Sequence, residues 1–102
     1  MQKREITNVM DNLDALWQEY KIGGSKVAKD KLLVEYSRLV KYIADRIGYT
    51  LPASVDKNDL ISSGILGLIK AVETFDIERE IKFETYAIPR IRGAILDELR
   101  RQ

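Results

Sequence analysis

The sequence predicts an all-α fold, a compact bundle of four to five helices, and three observations support this. Apolar residues recur at intervals of three and four along most of the chain, which is the spacing of one helix face. No alternating pattern of the kind that marks a β-strand persists. Only two prolines and six glycines interrupt the 102 residues. A chain of this length suffices for one domain, so we expect a single domain over residues 1–102.

The first predicted helix lies before a glycine pair. Its apolar residues at helical spacing are Val9, Leu13, Leu16, Trp17 and Tyr20. Thr7 and Asp11 are candidate caps for its start, because short polar side chains accept hydrogen bonds from free backbone N–H groups. Gly23 and Gly24 predict its end.

The second predicted helix begins at Ser25, which is a suitable cap, and ends at Gly48. Its apolar stripe consists of Leu32, Leu33, Tyr36, Val40, Ile43, Ala44 and Ile47. Ser37 lies inside this stretch and is a possible site of a bend. The pattern therefore allows one long helix or two short ones.

A third helix is predicted after the connector "YTLPASVDK", from a cap at Asp56, with Asp59 three residues later, to about Thr74. Its apolar residues occupy more than one side, and Gly64 and Gly67 each cost about 1 kcal/mol relative to alanine in a helix. Close approach of another helix would explain both glycines. The pattern fits a central buried helix, and it fits equally a docking surface for a partner helix. The residues of that surface would be Ser62, Ser63, Ile65, Leu66 and Ile69.

The fourth helix follows the connector "FDIEREIK" and includes "KFETYAIPRIRGAILDELR". Its predicted core stripe is Ile88, Ile91, Ile95 and Leu99, and the opposite side carries Tyr86, Arg90, Gly93, Asp97 and Arg100. Pro89 lacks an N–H and disfavours helical torsions in the residue before it. We therefore expect a helix that begins near Thr85, or one that is kinked at Pro89.

The side opposite the predicted core has the chemistry of base recognition. Aromatic rings stack on unpaired bases, arginine binds guanine edges, and aspartate accepts a hydrogen bond from the cytosine amino group. Phosphate alone would not require an acid such as Asp97. The alternative is an Asp97–Arg101 ion pair on a solvated helix face.

Composition argues against an enzyme. The chain has neither cysteine nor histidine, which excludes disulfides, thiol and Ser-His nucleophiles, and the usual zinc sites. Neighbouring acids such as Glu78 and Glu80 are typical of solvated surface, so we expect no catalytic residues, metal or cofactor.

No apolar run approaches the roughly 20 residues of a membrane span, and we expect a cytoplasmic protein. The formal net charge of +1 means that any DNA binding depends on local charge placement.

The segments "DLISSGILGLIKAVETFD" and "REIKFETYAIPRIRGAILDELR" together resemble the second conserved region of bacterial RNA polymerase sigma factors. Two pieces, "LPASVDKNDL" and "RIRGAILDELR", resemble the alternative sigma factors of flagellar motility and, in filamentous bacteria, of sporulation. The similarity runs from about Leu16 to Arg101. It implies an all-helical promoter-opening domain that spans sigma regions 1.2 to 2.4.

The resemblance implies two binding surfaces. The helix over residues 58–75 would dock on the clamp coiled coil of the polymerase largest subunit through Asp59, Ser62, Ser63, Ile65, Leu66 and Ile69. Ser62 and Ser63 stand where the housekeeping members have a Gln-Glu pair, which puts the polar contacts of this dock in question.

The fourth helix would bind the non-template strand of the minus-ten promoter element. Its implied DNA-binding residues are Phe83, Tyr86, Arg90, Arg92, Gly93, Asp97 and Arg100. Phe83 and Tyr86 match aromatics that melt the element and hold flipped bases, whereas Arg90 and Asp97 match positions that read a GC-rich element. Pro89-Arg90 replaces the tryptophan pair of housekeeping members and Ile81 replaces another aromatic, so the resemblance implies weaker intrinsic melting.

Two further expectations follow from the family. An anti-sigma factor is a plausible partner, and a protein-binding module masked by such a factor is the alternative to promoter recognition. Members of this branch continue into further domains, so we expect the sequence to be either an excised domain of a longer sigma factor, which we favour, or a natural fragment that does not select promoters alone.

Overall fold

The computed structural model describes the backbone of residues 2–102 and the side chains from residue 12 onward. Within this range the chain forms four helices: α1 (Gln2–Lys21), α2 (Lys26–Gly48), α3 (Lys57–Thr74) and α4 (Phe83–Arg101). No strand occurs among the residues that are described. The all-α prediction is confirmed. No helix in the described part of the chain is long and apolar enough to cross a membrane.

Helix α1 ends where the glycine pair predicted. Gly24 adopts the left-handed conformation with φ of 69°, and its N–H donates to the Tyr20 carbonyl at 3.0 Å. This is the usual role of glycine after a helix, since it has no Cβ to clash. The helix begins at Gln2, upstream of both candidate caps. The side chains of Thr7, Val9 and Asp11 lie outside the described ones.

Helix α2 is a single helix, which decides between the two alternatives left open by Ser37. Its predicted cap is confirmed, because the Ala28 N–H donates to Ser25 Oγ at 3.1 Å. The buried residues of α2 are Ala28, Leu32, Tyr36, Val40, Ile43 and Ala44.

Between Glu35 and Tyr36, inside this helix, the chain divides into two compact units. Helices α3 and α4 both belong to the second unit. That residues 1–102 form one domain stays a prediction.

Helix α3 begins at its predicted cap and ends at the predicted residue. Asp56 Oδ1 accepts a hydrogen bond from the Asn58 N–H at 2.8 Å, which satisfies one of the free donors of the first turn. One side of the helix is buried through Leu60, Gly64, Leu68, Ala71 and Val72. Phe75 at its C-terminus is also buried, with 6% exposure.

The two glycines of α3 allow close packing, as the sequence predicted. A Cβ added at Gly64 would lie 2.7 Å from Val40 Cγ1, on α2, and 3.1 Å from Ile95 Cδ1, on α4. A Cβ added at Gly67 would lie 2.9 Å from Ala94 Cβ and 3.1 Å from the Arg90 carbonyl oxygen. These separations are too short for normal contact, so only glycine permits this approach of α3 to its neighbours.

Helix α4 corrects two predictions. Its buried residues are Phe83, Ala87, Ile91 and Ile95. Ile88 is 41% exposed, so its assignment to the core is wrong. Residues four apart lie on the same side of a helix, so the buried Phe83 places Ala87, rather than Ile88, on the buried side. Leu99, at the end of that side, is half-buried. The helix also begins at Phe83 rather than near Thr85, which leaves Pro89 in its interior, and the alternative of a kink at Pro89 stays a prediction.

Candidate nucleic-acid interface and docking surface

The outer side of α4 exposes most of the residues assigned to DNA binding. Arg90, Arg92, Asp97 and Arg100 are exposed, whereas Tyr86 and Gly93 are half-buried. At 100° per residue, Tyr86, Arg90, Gly93, Asp97 and Arg100 form a stripe opposite the buried isoleucines of the same helix. We call these five residues the outer stripe of α4.

Asp97 forms an ion pair, but with a different partner from the one considered above. Its Oδ1 accepts from Arg100 Nη1 at 3.2 Å, and the two side chains are 67% and 78% exposed. Arg101 instead donates to Glu98 Oε1 at 3.3 Å. Exposed pairs of this kind contribute about 0–1 kcal/mol, so Asp97 and Arg100 are both free to exchange partners.

Gly93 leaves an area of bare backbone in the outer stripe. No heavy atom lies within 4 Å of a Cβ added at this position. Packing therefore does not explain the glycine, although glycine in a helix interior costs about 1 kcal/mol relative to alanine. The fold of the chain itself has no need of a glycine here.

Tyr86 is held from three directions. The Arg90 guanidinium carbon lies 3.6 Å from the centroid of its ring, and Arg90 Nη1 donates to the Tyr86 carbonyl at 2.8 Å. The ring also contacts Phe75, with centroids 5.3 Å apart. Its hydroxyl is 2.8 Å from Thr74 Oγ1. Neither Thr74 nor Phe75 was identified from the sequence as part of this site.

Phe83 occupies a different environment from the one the resemblance implies. Its ring is 4% exposed and lies 4.5 Å from the Tyr36 ring centroid and 5.3 Å from that of Phe75. Because neighbouring rings enclose it, Phe83 does not reach the surface here. In this structure the Phe83 ring packs against Phe75, and its direct contact with DNA stays a prediction.

Helix α3 is buried on one side and exposed on the other, so the alternative of a central, fully buried helix is wrong, and the docking surface stays a prediction. Of the residues assigned to polymerase binding, Asp59, Ser62 and Leu66 are exposed, and Ile65 and Ile69 are half-buried. The Leu66 side chain is 67% exposed, which is unusual for leucine. We call these five residues the outer face of α3.

The sixth assigned residue, Ser63, is engaged within the molecule. Its hydroxyl donates to Glu98 Oε1 on α4 at 3.1 Å. Glu98 also accepts from Arg101, and its Oε2 accepts from Gln102 Nε2 at 3.2 Å. Ser63 therefore contributes to the packing of α3 against α4 rather than to the open face.

Comparison with known proteins identifies the family. Residues 32–102 match the model of the Sigma-70 region 2 family. The RNA polymerase sigma-D factor of Bacillus subtilis (strain 168) is 49% identical over 87 residues, which cover 85% of this chain and 34% of that protein. The RNA polymerase sigma factor FliA of Escherichia coli (strain K12) is 49% identical over 72 residues, 71% of this chain and 30% of that protein.

A solved structure agrees with these relatives. The cocrystal structure of the flagellar sigma/anti-sigma complex, Sigma-28/FlgM, is similar to this chain with a TM-score of 0.70 and 44% identity. The match covers 76% of this chain and 34% of that one. The chain thus spans about a third of the length of these relatives. The resemblance to sigma factors, and to their flagellar branch, is confirmed. The chain belongs to the Sigma-70 region 2 family and is of the sigma-D and FliA type.

Proposed function

We propose that this chain is the part of an alternative sigma factor that docks on core RNA polymerase and recognises and melts the minus-ten promoter element. The observation that carries the proposal is the outer stripe of α4, which presents Arg90, Asp97 and Arg100 to solvent opposite the buried side of the helix. The chain would contribute no catalytic group, because the polymerase itself performs RNA synthesis.

The side chains of the outer stripe fit hydrogen bonding to base edges better than binding to phosphates alone. Arginine donates in fork geometry to guanine O6 and N7, and Asp97 can accept from the amino group of a cytosine. A purely phosphate-binding surface would gain nothing from an acid. The bare backbone at Gly93 allows a strand to approach the helix more closely than any side chain would permit.

Tyr86 and Arg90 supply a platform for an unstacked base. Stacking on an aromatic ring or on a guanidinium plane contributes about 1–3 kcal/mol per base, which offsets part of the few kcal/mol that unstacking costs. With Phe83 buried and Pro89-Arg90 in place of two tryptophans, α4 offers fewer aromatic wedges than the housekeeping pattern. We therefore expect melting to depend strongly on the promoter sequence.

The outer face of α3 is the proposed dock for the clamp coiled coil of the polymerase largest subunit. An amphipathic helix presents its apolar residues to a partner helix at spacings of three and four. Ile65, Leu66 and Ile69 have this spacing and remain at least partly exposed. Asp59 and Ser62 would form the polar rim of the contact.

An anti-sigma factor is the second proposed partner. The solved relative is a complex of a flagellar sigma factor with an anti-sigma protein, which favours regulation of the same kind for this chain. Such a partner would act by covering the outer face of α3 or the outer stripe of α4. Sequestration would then block polymerase binding or DNA binding, according to which of the two surfaces is covered.

Substitution of Asp97 tests base reading. The chain, assembled with core polymerase, is titrated with labelled oligonucleotides that carry the non-template strand of a GC-rich minus-ten element, with each base changed in turn. At one base position, Asp97→Ala should reduce the difference in binding free energy between the preferred base and the other bases by about 1–3 kcal/mol. The differences at the other positions should be unchanged.

Glu84→Ala is the matched control, since Glu84 is an exposed acid in the first turn of α4 but lies outside the outer stripe. It should leave discrimination at every position intact. Uniform weakening of all oligonucleotides by Asp97→Ala would contradict base reading by this residue. Absence of binding by the parent complex would overturn the proposed function.

A further inference from the structure

A series of ring contacts leads from buried residues to the surface beside the outer stripe. Tyr36 contacts Phe83, Phe83 contacts Phe75, and Phe75 contacts Tyr86, with centroid separations of 4.5, 5.3 and 5.3 Å. Tyr36, Phe75 and Phe83 are each less than 10% exposed. Tyr86 is the outermost ring of the series, and Arg90 lies over it at 3.6 Å.

The hydroxyl of Tyr86 is fixed by a residue of another helix. Thr74, in the last turn of α3, donates its hydroxyl hydrogen to the Lys70 carbonyl at 2.8 Å. Because a threonine hydroxyl has one hydrogen, its oxygen must act as the acceptor in the second contact. Tyr86 therefore donates to Thr74 Oγ1, also at 2.8 Å. The result is a directed chain of two hydrogen bonds from Tyr86 to Thr74 to the backbone of α3.

This chain of hydrogen bonds, together with the Phe75 contact, restricts where the Tyr86 ring lies. A tyrosine side chain has two rotatable angles, and a ring anchored at its hydroxyl retains little freedom in either. Arg90, stacked on that ring and bonded to its carbonyl, depends on the same position. Thr74 thereby acts on both residues of the base platform, although it is not part of the outer stripe.

We propose that Thr74 is a positioning residue for DNA binding, which holds Tyr86, and through it Arg90, in the geometry that receives an unstacked base. The inference rests on the proposed function of α4. Thr74 itself contacts no base. Its contribution is preorganisation, since a platform that is already ordered loses less conformational freedom when DNA binds.

Thr74→Val tests this directly, because valine keeps the branched shape and removes the hydroxyl. The measured quantity is the affinity of the chain, assembled with core polymerase, for a fluorescent single-stranded oligonucleotide of the GC-rich minus-ten element. Because the Tyr86 side chain would then have to be ordered when DNA binds, the affinity should fall about threefold to tenfold. Thr74→Ser retains the hydroxyl and should restore the affinity of the parent.

A double-mutant cycle separates positioning from general destabilisation. Tyr86→Phe removes the donor of the same bond, so Thr74→Val added to Tyr86→Phe should cause no further loss. Thr85→Val is the matched control, as an identical change at an exposed residue of α4 next to Tyr86. It should leave the affinity unchanged.

The outcomes distinguish the two proposals. If the parent binds and Tyr86→Ala abolishes binding, but Thr74→Val binds like the parent, the positioning role of Thr74 is wrong and the proposed function stands. Additive losses in the cycle, or failure of Thr74→Ser to restore affinity, would also overturn the positioning role. If the parent does not bind the oligonucleotide, both proposals are overturned together.

Discussion

Gly67 and Gly93 both lie inside helices, but close packing explains only Gly67. A Cβ at Gly67 would lie within 3.2 Å of Ala94 Cβ, the Arg90 carbonyl and Ile91 Cα, two of which are backbone atoms that move little. A Cβ at Gly93 would meet nothing within 4 Å. The first glycine is thus explained by the fold, and the second is not.

Alanine at these two positions should change stability in opposite directions. Gly93→Ala should raise the free energy of unfolding by about 0.5–1 kcal/mol, because alanine favours the helix and has room here. Gly67→Ala should lower it by about 1–3 kcal/mol, as overpacking does in a close helix contact. Urea denaturation of the 102-residue chain measures both.

The Gly93→Ala variant can also be tested for DNA binding. If the bare backbone at Gly93 serves strand approach, Gly93→Ala should weaken oligonucleotide binding while it stabilises the fold. A stabilised variant with unchanged affinity would show that the glycine has no part in the interface.

The sequence predicted the exposure of the outer stripe well but missed contacts between helices. Arg90 and Asp97 could be placed because helical spacing fixes which residues share a face. Ile88 was misplaced because Ala87 and Ile88 are both apolar neighbours, and spacing alone does not fix the phase of the buried side. Thr74 could not be found, since its contact with Tyr86 depends on how α3 and α4 pack across the intervening connector.

Helix α3 is the element on which both proposed surfaces depend. It carries the proposed polymerase-binding face on one side, approaches α4 closely through Gly67, and contacts Tyr86 through Thr74. Its start is defined by the Asp56 cap. A loosened first turn would affect Asp59 and Leu60 before it affected Thr74 at the other end of the helix.

Removal of the α3 cap should therefore destabilise the chain measurably. Asp56→Ala should lower the free energy of unfolding by about 0.5–2 kcal/mol, since the Asn58 N–H loses its acceptor. Ser54→Ala, an exposed change in the same connector, is the control and should stay within about 0.5 kcal/mol of the parent. Thermal or urea unfolding of both variants provides the comparison, and equal effects would contradict the capping role.

The boundaries of the elements were largely readable from the sequence, for a local reason. Caps and glycine stops act within one turn of the helix end, so Gly24, Ser25 and Asp56 specify their boundaries without reference to the rest of the fold. The start of α4 was less predictable. Lys82 occupies its cap position and makes no side-chain capping bond, so the chain carries no polar signal there.

At the scale of the whole molecule, the two proposed surfaces lie in the same compact unit, which begins at Tyr36. They nevertheless use different helices, α3 for the polymerase and α4 for DNA. The formal net charge of +1 provides no general attraction to nucleic acid, so the proposed DNA binding would depend on the placement of the arginines on α4.

Because the two proposed surfaces lie on different helices, we expect a substitution on α3 to impair polymerase binding by itself. Leu66→Glu should abolish retention of the chain by an immobilised clamp coiled coil, because a charge would enter an apolar helix contact. Leu66 is a better target than Ile65, since its 67% exposure means that the substitution disturbs the core little. The folded content, followed by circular dichroism, should be unchanged.

Ile22→Glu is the matched control for this experiment. Ile22 is 75% exposed, and the substitution alters charge and hydrophobicity in the same way outside the proposed dock. This variant should be retained like the parent. Equal retention of Leu66→Glu and the parent would remove the outer face of α3 from the polymerase contact.

Pro89, in the interior of α4, has a consequence for the order in which this helix opens. Proline donates no N–H, so the Thr85 carbonyl receives no bond from the residue four positions ahead, and the turn before Pro89 is tied less firmly to the rest of α4. Amide exchange at Ala87 should accordingly be faster than at Ile95, although both side chains are fully buried. Pro89→Ala should slow the exchange at Ala87, and equal protection at both sites in the parent would contradict the idea. The turn that carries Tyr86 would then depend for its order on the Thr74 contact with α3, whereas the following turns are held by the hydrogen bonds of α4 itself.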